Sequence, residues 1–140
     1  ESLLTNQVEQ YGLGNSVKFI GRITYENVPS YINAFDICYL SRENYPGVFS
    51  PLKLYEYLSC RKPVIVSRTD GLVEVVEEGQ CGLVFESGNA LELAEKIVQS
   101  FNDKIALDQM GRNGRALVQD KYSWRRAAQR IMTTLQELSI

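Results

Sequence analysis

The 140-residue chain contains no histidine. That excludes a Ser-His-Asp or Cys-His nucleophile pair drawn from these residues. It also excludes a metal site that relies on imidazole. Cysteine is scarce, with only Cys38, Cys60 and Cys81. An odd number at wide spacing is neither a disulfide framework nor a paired-cysteine zinc pattern. Cys38 lies in an apolar stretch and Cys60 near a helix end, so buried, reduced thiols are expected. Reduced thiols suit a cytoplasmic location. The net charge is only −2, so the chain lacks the electrostatic footprint of a nucleic-acid binder. No apolar run approaches the roughly 18–20 residues of a membrane helix, and no signal peptide opens the chain. There is no Walker lysine motif. Gly12-Leu13-Gly14 has two glycines of a dinucleotide loop, but Val17 stands where the third belongs. That segment also precedes a strand instead of following one, so the loop is rejected.

Hydrophobic residues make up 44% and charged residues 23%, the balance of one globular domain with a real core. The start, Glu1-Ser2-Leu3-Leu4, has no Met and drops straight into a helical pattern. A fragment of a longer protein is expected. Leu3, Leu4, Val8 and Tyr11 recur at helical spacing up to Gly12 and Gly14. Val17 to Ile20 reads as a strand, Val28 to Phe35 as a short helix and Ile37 to Leu40 as a buried strand. Residues 41–49 form a loop with a turn at Pro46-Gly47. Ser50 to Cys60 reads as a helix with Leu52, Tyr55 and Ser59 inward and Leu58 beside them. Pro63 to Val66 is a strand, Leu72 to Glu78 a helix and Gly82 to Phe85 a strand. Ala90, Leu91, Ala94, Ile97, Val98 and Phe101 then recur at helical spacing. A helix over 104–118 follows, and a last one carries Trp124, Ala128, Ile131, Leu135 and Leu138. The Trp124 stripe is read as core or interdomain packing. Strands alternating with helices predict an α/β fold, a parallel sheet flanked by helices.

The most informative stretch is Ser50-Pro51-Leu52-Lys53-Leu54-Tyr55-Glu56, followed shortly by Lys62-Pro63-Val64-Ile65-Val66-Ser67. Ser50 is a good N-cap, and Pro51 suits a first helical position. Lys53 then sits in the first turn, where the helix dipole disfavours a cation. A lysine there makes better sense beside an anion held at the helix N-terminus. Glu56 lies one turn on. The ligand crevice of such a sheet lies at the carboxyl ends of its strands. The loop after Leu40, the turn after Ser67 and the residues after Ile20 should converge there. That brings Gly21, Arg22, Glu43, the Ser50 helix start and Asp70-Gly71 to one place.

These residues resemble the donor-binding domain of retaining GT-B glycosyltransferases, the group often called glycosyltransferase family 4. The likeness runs through Val17-Lys18-Phe19-Ile20-Gly21-Arg22, Asn27-Val28-Pro29-Ser30-Tyr31 and Ala34-Phe35-Asp36-Ile37-Cys38-Tyr39-Leu40-Ser41. It continues through the Ser50 stretch, Gly71-Leu72-Val73-Glu74-Val75-Val76, Gly79 with Gly82-Leu83-Val84, and Ser123-Trp124. The order matches the family throughout.

The resemblance implies a Rossmann-like C-terminal half of a GT-B fold, with residues 1–140 forming a donor domain that lacks its first units. It implies transfer of a sugar from a nucleotide diphosphate-sugar to a glycan, lipid or small acceptor. No metal or other cofactor is implied, and the Asp-x-Asp pair of the metal-dependent GT-A enzymes is absent. The acceptor would be held by an N-terminal domain outside this chain, and the longer protein could work at the cytoplasmic face of a membrane. The acidic balance argues against this half being a basic membrane-binding surface.

By the same resemblance, the backbone N–H groups of Leu52 and Lys53 hold the diphosphate, and Glu56 accepts from the ribose hydroxyls. Arg22 could approach the base or a phosphate, or be an ordinary surface arginine. Asp70-Gly71 could place backbone near the donor or be a plain turn before a helix. Glu74 matches a family glutamate, or is an acidic residue placed favourably in a first helical turn. The family often has a sugar-contacting glutamate eight positions before the ribose one, where this chain has Val48. Glu43 is the carboxylate in that loop that could replace it. Arg61 stands where the family has a glycine, so it must accept strain or end the helix differently. Two further readings are a non-catalytic nucleotide-binding or interaction module of the same fold, and a nucleotide-sugar epimerase. The epimerases usually rely on histidines, which this chain lacks.

Overall fold

A computed structural model describes residues 2–42 and 51–138. The elements, in order, are α1 (Ser2–Gln10), a 3-10 turn (Tyr25–Asn27), α2 (Val28–Asn33), β1 (Cys38–Leu40), α3 (Leu52–Ser59) and β2 (Val64–Ser67). They continue as α4 (Val73–Gly79), β3 (Gly82–Phe85), α5 (Ala90–Asn102), α6 (Lys104–Leu117), a π-helical turn (Val118–Tyr122) and α7 (Trp124–Leu138). The three strands form one parallel sheet in the order β1-β2-β3. Cys38 pairs with Val64 and Leu40 with Val66, while Val64 pairs with Gly82 and Ser67 with Phe85. This is the α/β parallel sheet expected from the alternating pattern, and it fits the Rossmann-like fold that the resemblance implies.

Every residue of β2 is buried, so both faces of the central strand are covered, as parallel strands require. Successive side chains of a strand point to opposite faces. Val64 and Val66 join Leu54, Leu58, Leu72, Val75 and Val76 in one core cluster. Ile65 is 1% exposed yet belongs to the other face, where α5 packs against β2 and β3.

The inward face of α3 differs from the expectation. Leu54 and Leu58 are fully buried, while Leu52 is 54% exposed; Tyr55 and Ser59 are half-buried. At 3.6 residues per turn Leu52 lies about 200° around the helix from Leu54, so both cannot face β1 and β2. The leucine pair at i and i+4 faces the sheet.

The end of α3 settles how Arg61 replaces a glycine. Arg61 has φ of 58°. Its N–H donates to the Leu58 carbonyl at 2.9 Å, and that of Lys62 to Tyr57 at 3.0 Å. That is the paired closure of a Schellman turn with a non-glycine in the left-handed position. Arg61 accepts the strain.

Val17 to Ile20 is not a strand. A strand must hand its N–H and C=O groups to a neighbour, and the paired strands here are β1, β2 and β3. Phe19 and Ile20 stay 44% and 53% exposed. Trp124 is 84% exposed, and Ile131, Leu135 and Leu138 are open as well. The stripe is therefore not core within the described residues. The apolar stripe of α5 is similarly open at Leu91, Val98 and Phe101, with Ser100 buried instead. Periodicity identifies an apolar face but supplies nothing to cover it. Other boundaries agree to within two residues, the ordinary uncertainty of helix ends. Glu43, Val48, Ser50 and the Pro46-Gly47 turn lie outside the described residues.

Candidate functional site

Parallel pairing puts the carboxyl ends of the three strands, at Leu40, Ser67 and Phe85, on one side of the sheet. Helix α3 begins after the connection that leaves β1. Its cap residue is the buried Pro51, whose carbonyl accepts from the Tyr55 N–H at 3.3 Å. Pro51 therefore occupies the cap position and not the first helical position. Proline has no side-chain acceptor, and among the described residues no side-chain bond caps this helix. The N–H groups of Leu52, Lys53 and Leu54 belong to the first turn, which has no acceptor within the helix. They carry the positive end of the helix dipole.

Lys53 is exposed and Glu56, one turn on, is half-buried. No ion pair joins them among the described residues. Burial raises the phenols of the flanking Tyr55 and Tyr57 above their ordinary value, so both are neutral donors at neutral pH.

Asp70 and Gly71 form the turn after β2. Gly71 has φ of 83°, the left-handed region that glycine enters without a side-chain clash. Its N–H donates to Glu74 Oε2 at 2.6 Å. Glu74 thus fixes the start of its own helix. Gly21 and Arg22 are exposed in an irregular segment. Among the described residues no side-chain hydrogen bond or ion pair joins Arg22 to α3. The structure gathers the β1 exit, the β2 turn and the β3 exit, but does not tie the residues after Ile20 to them.

A hydroxyl cluster at this edge was missed by sequence reasoning. The Arg42 N–H donates to Ser67 Oγ at 2.9 Å. The Arg42 carbonyl accepts from Ser87 Oγ at 3.1 Å and from Thr69 Oγ1 at 3.4 Å. Ser67 Oγ and Thr69 Oγ1 lie 3.2 Å apart. The available signal was Ser67 closing an apolar strand: a serine 1% exposed must find a partner.

Among the described residues no group of three His, Cys, Asp or Glu side chains could hold a metal ion. Nor is any helix there long and apolar enough to cross a membrane.

A family model described as "Glycosyl transferases group 1" matches residues 1–117. The chain is 29% identical over 140 residues to an uncharacterized glycosyltransferase of Methanocaldococcus jannaschii, covering 97% of this chain and 38% of that protein. It is 30% identical over 128 residues to the GDP-mannose-dependent monoacylated alpha-(1-6)-phosphatidylinositol monomannoside mannosyltransferase of Corynebacterium glutamicum, covering 89% and 33%. Among solved structures, Anabaena HepE in complex with UDP superposes with a TM-score of 0.84 at 27% identity, covering 97% of this chain and 36% of that one. The chain therefore spans 33% to 38% of the length of these relatives.

Proposed function

Because the chain belongs to the glycosyl transferases group 1 family, we propose that it forms the donor side of a retaining glycosyltransferase that uses a nucleotide diphosphate-sugar. The observation that carries this reading is the start of α3. It opens beside the carboxyl edge of the sheet, no side chain among the described residues caps it, and the N–H groups of its first turn suit an anion. HepE was crystallised with UDP and with UDP-glucose on a similar fold, which supports a nucleotide-sugar as the ligand here.

In this reading the Leu52 and Lys53 N–H groups and the Lys53 ammonium face the diphosphate. Charge grows on the departing diphosphate in the transition state, and donors already aimed at it lower the barrier. The proposed transfer needs no resident metal, so a chelator should leave it unchanged. Glu56 accepts from the ribose; a carboxylate can take two charge-assisted bonds from a cis-diol. Ser50, Pro51, Asp70, Gly71, Gly21 and Arg22 complete the proposed donor surface, and Glu43 is the candidate contact to the sugar. A second domain of a longer protein would hold a glycan, lipid or small acceptor, and the reaction would run in the cytoplasm or at a membrane's cytoplasmic face.

The competing reading, a module whose pocket has degenerated, is favoured by Val48, which lies outside the described residues, and by Arg61. The support from Arg61 weakens, because Arg61 keeps the turn that a glycine would make. Thermal stability with UDP, GDP, ADP and their sugar conjugates tests the proposal. A ligand that binds only the folded chain must raise its melting temperature. A rise with one nucleotide, lost in Glu56→Ala, supports the donor site; no rise with any nucleotide contradicts it for this chain.

A further inference from the structure

The hydroxyls of Ser67, Thr69 and Ser87 come from two strand ends and converge on one peptide, that of Arg42. Leu40 is the last residue of β1 in the ladder, paired with Val66. Two residues later the chain has left the sheet, and side chains take over the role of ladder partners. Both backbone groups of Arg42 are satisfied in this way.

The bonds close into a circuit. The Arg42 N–H donates to Ser67 Oγ. The Ser67 hydroxyl then has one proton to give, and it can go to Thr69 Oγ1 at 3.2 Å or to the Arg42 carbonyl at 3.4 Å. Thr69 and Ser87 in turn donate to the Arg42 carbonyl, whose two lone pairs accept both. Ser67 is the central member because it is buried and serves as acceptor and donor at once.

We propose that Ser67, Thr69 and Ser87 are positioning residues of the donor site, which fix the point where the connection between β1 and α3 leaves the sheet. This rests on the donor-site reading above. Only residues 43–50 separate Arg42 from the Pro51 cap. Anchoring the Arg42 peptide fixes one end of that connection, and a restrained site loses less entropy when a ligand docks. None of the three hydroxyls needs to touch the nucleotide.

The experiment measures calorimetric binding of UDP and GDP to the chain and to Ser67→Ala, Thr69→Val, Thr69→Ser and Ser87→Ala. Amide exchange at Arg42 is read in parallel. Removing a hydroxyl should weaken the nucleotide that binds by about fivefold or more, the worth of one net hydrogen bond. Thr69→Ser, which keeps the hydroxyl, should stay within about twofold of the parent. Arg42 exchange should accelerate in Ser67→Ala. A purely structural role would lower the melting temperature and leave the affinity of the folded chain alone. Unchanged affinity in folded Thr69→Val and Ser87→Ala, with Arg42 exchange accelerated, overturns the positioning role and spares the donor site. A parent chain blind to UDP and GDP overturns the donor-site reading, and the positioning role with it. Should Ser67→Ala fail to fold, the Thr69 pair and Ser87→Ala decide.

Discussion

Gly111 of α6 lies against the carbonyl oxygen of Arg61, which sits 2.4 Å from where a β-carbon on Gly111 would be. The contact is made with backbone, and that backbone is already committed to the Schellman closure of α3. A methyl group there cannot be accommodated by turning a side chain. Gly111→Ala gains about 1 kcal/mol of helix propensity but must push α6 from α3. Overpacking of this kind costs about 1–3 kcal/mol, and a backbone oxygen places the case at the upper end. The variant should be less stable than the parent by about 1–2 kcal/mol after the propensity gain. Urea unfolding measures it; a variant as stable as the parent would show that the helix contact is not tight.

Arg61 itself offers a test that separates backbone from side chain. Its guanidinium pairs with Asp108 at 2.5 Å; Arg112 first, and Arg61 after it, hold the Asp108 carboxyl below its ordinary value. The pair is exposed, so solvent screens it and it adds little to stability. Arg61→Ala loses the pair and keeps the left-handed strain. Arg61→Gly loses both. The glycine variant should therefore be more stable than the alanine variant by about 1 kcal/mol. Equal stabilities would mean that the left-handed residue carries no strain.

How much of this was legible in the sequence depended on how local each signal was. Val64 to Ser67 was readable because a short apolar run between Pro63 and a turn has few alternatives. The α3 helix was readable, but its buried face was not. Leu52, Leu54, Tyr55 and Leu58 leave several stripes open, and only the sheet selects Leu54 with Leu58. Val17 to Ile20 has the composition of a strand, yet strand formation needs a partner that composition cannot supply. The hydroxyl cluster was invisible because Ser67 and Ser87 are twenty residues apart and Arg42 is distant from both. Their meeting is a consequence of parallel pairing.

Stability should also fall at alkaline pH. Burial pushes the Cys38 thiol up to about 12 from its ordinary value of 9.0, against a lowering by Lys62 and a further rise from Cys60. Burial likewise raises Cys81 from 9.0 to about 11, opposed by a backbone hydrogen bond. In both cases the folded value lies above the unfolded one. The contribution is therefore fully present below pH 9. It is lost as pH climbs from there toward about 11 for Cys81 and about 12 for Cys38. Within that window each thiol removes up to about 1.4 kcal/mol per pH unit. Unfolding free energy measured from pH 7 to 10.5 should be flat and then decline, less steeply in Cys81→Ala. A decline of unchanged slope in that variant would assign the loss to other groups.

The proposed ribose contact of Glu56 can be isolated with a ligand change in place of a second mutation. If Glu56 accepts from both hydroxyls of the cis-diol, UDP should bind more tightly than 2′-deoxy-UDP, because a hydrogen bond to a charged group is worth about 1.5–3 kcal/mol. Glu56→Gln keeps the shape and removes the charge, and one amide oxygen can accept where a carboxylate offers two. The preference for UDP should then shrink by about tenfold or more, while 2′-deoxy-UDP loses less. The four affinities form a double-mutant cycle. A coupling near zero would mean that Glu56 affects the nucleotide only through the fold of α3. Lys53→Ala serves as the contrast: a residue facing the diphosphate should weaken UDP and 2′-deoxy-UDP equally, and its effect should fade as salt screens the charge. Loss of ribose discrimination in Lys53→Ala would break the division of labour along α3, with the anion at its first turn and the sugar hydroxyls one turn further on.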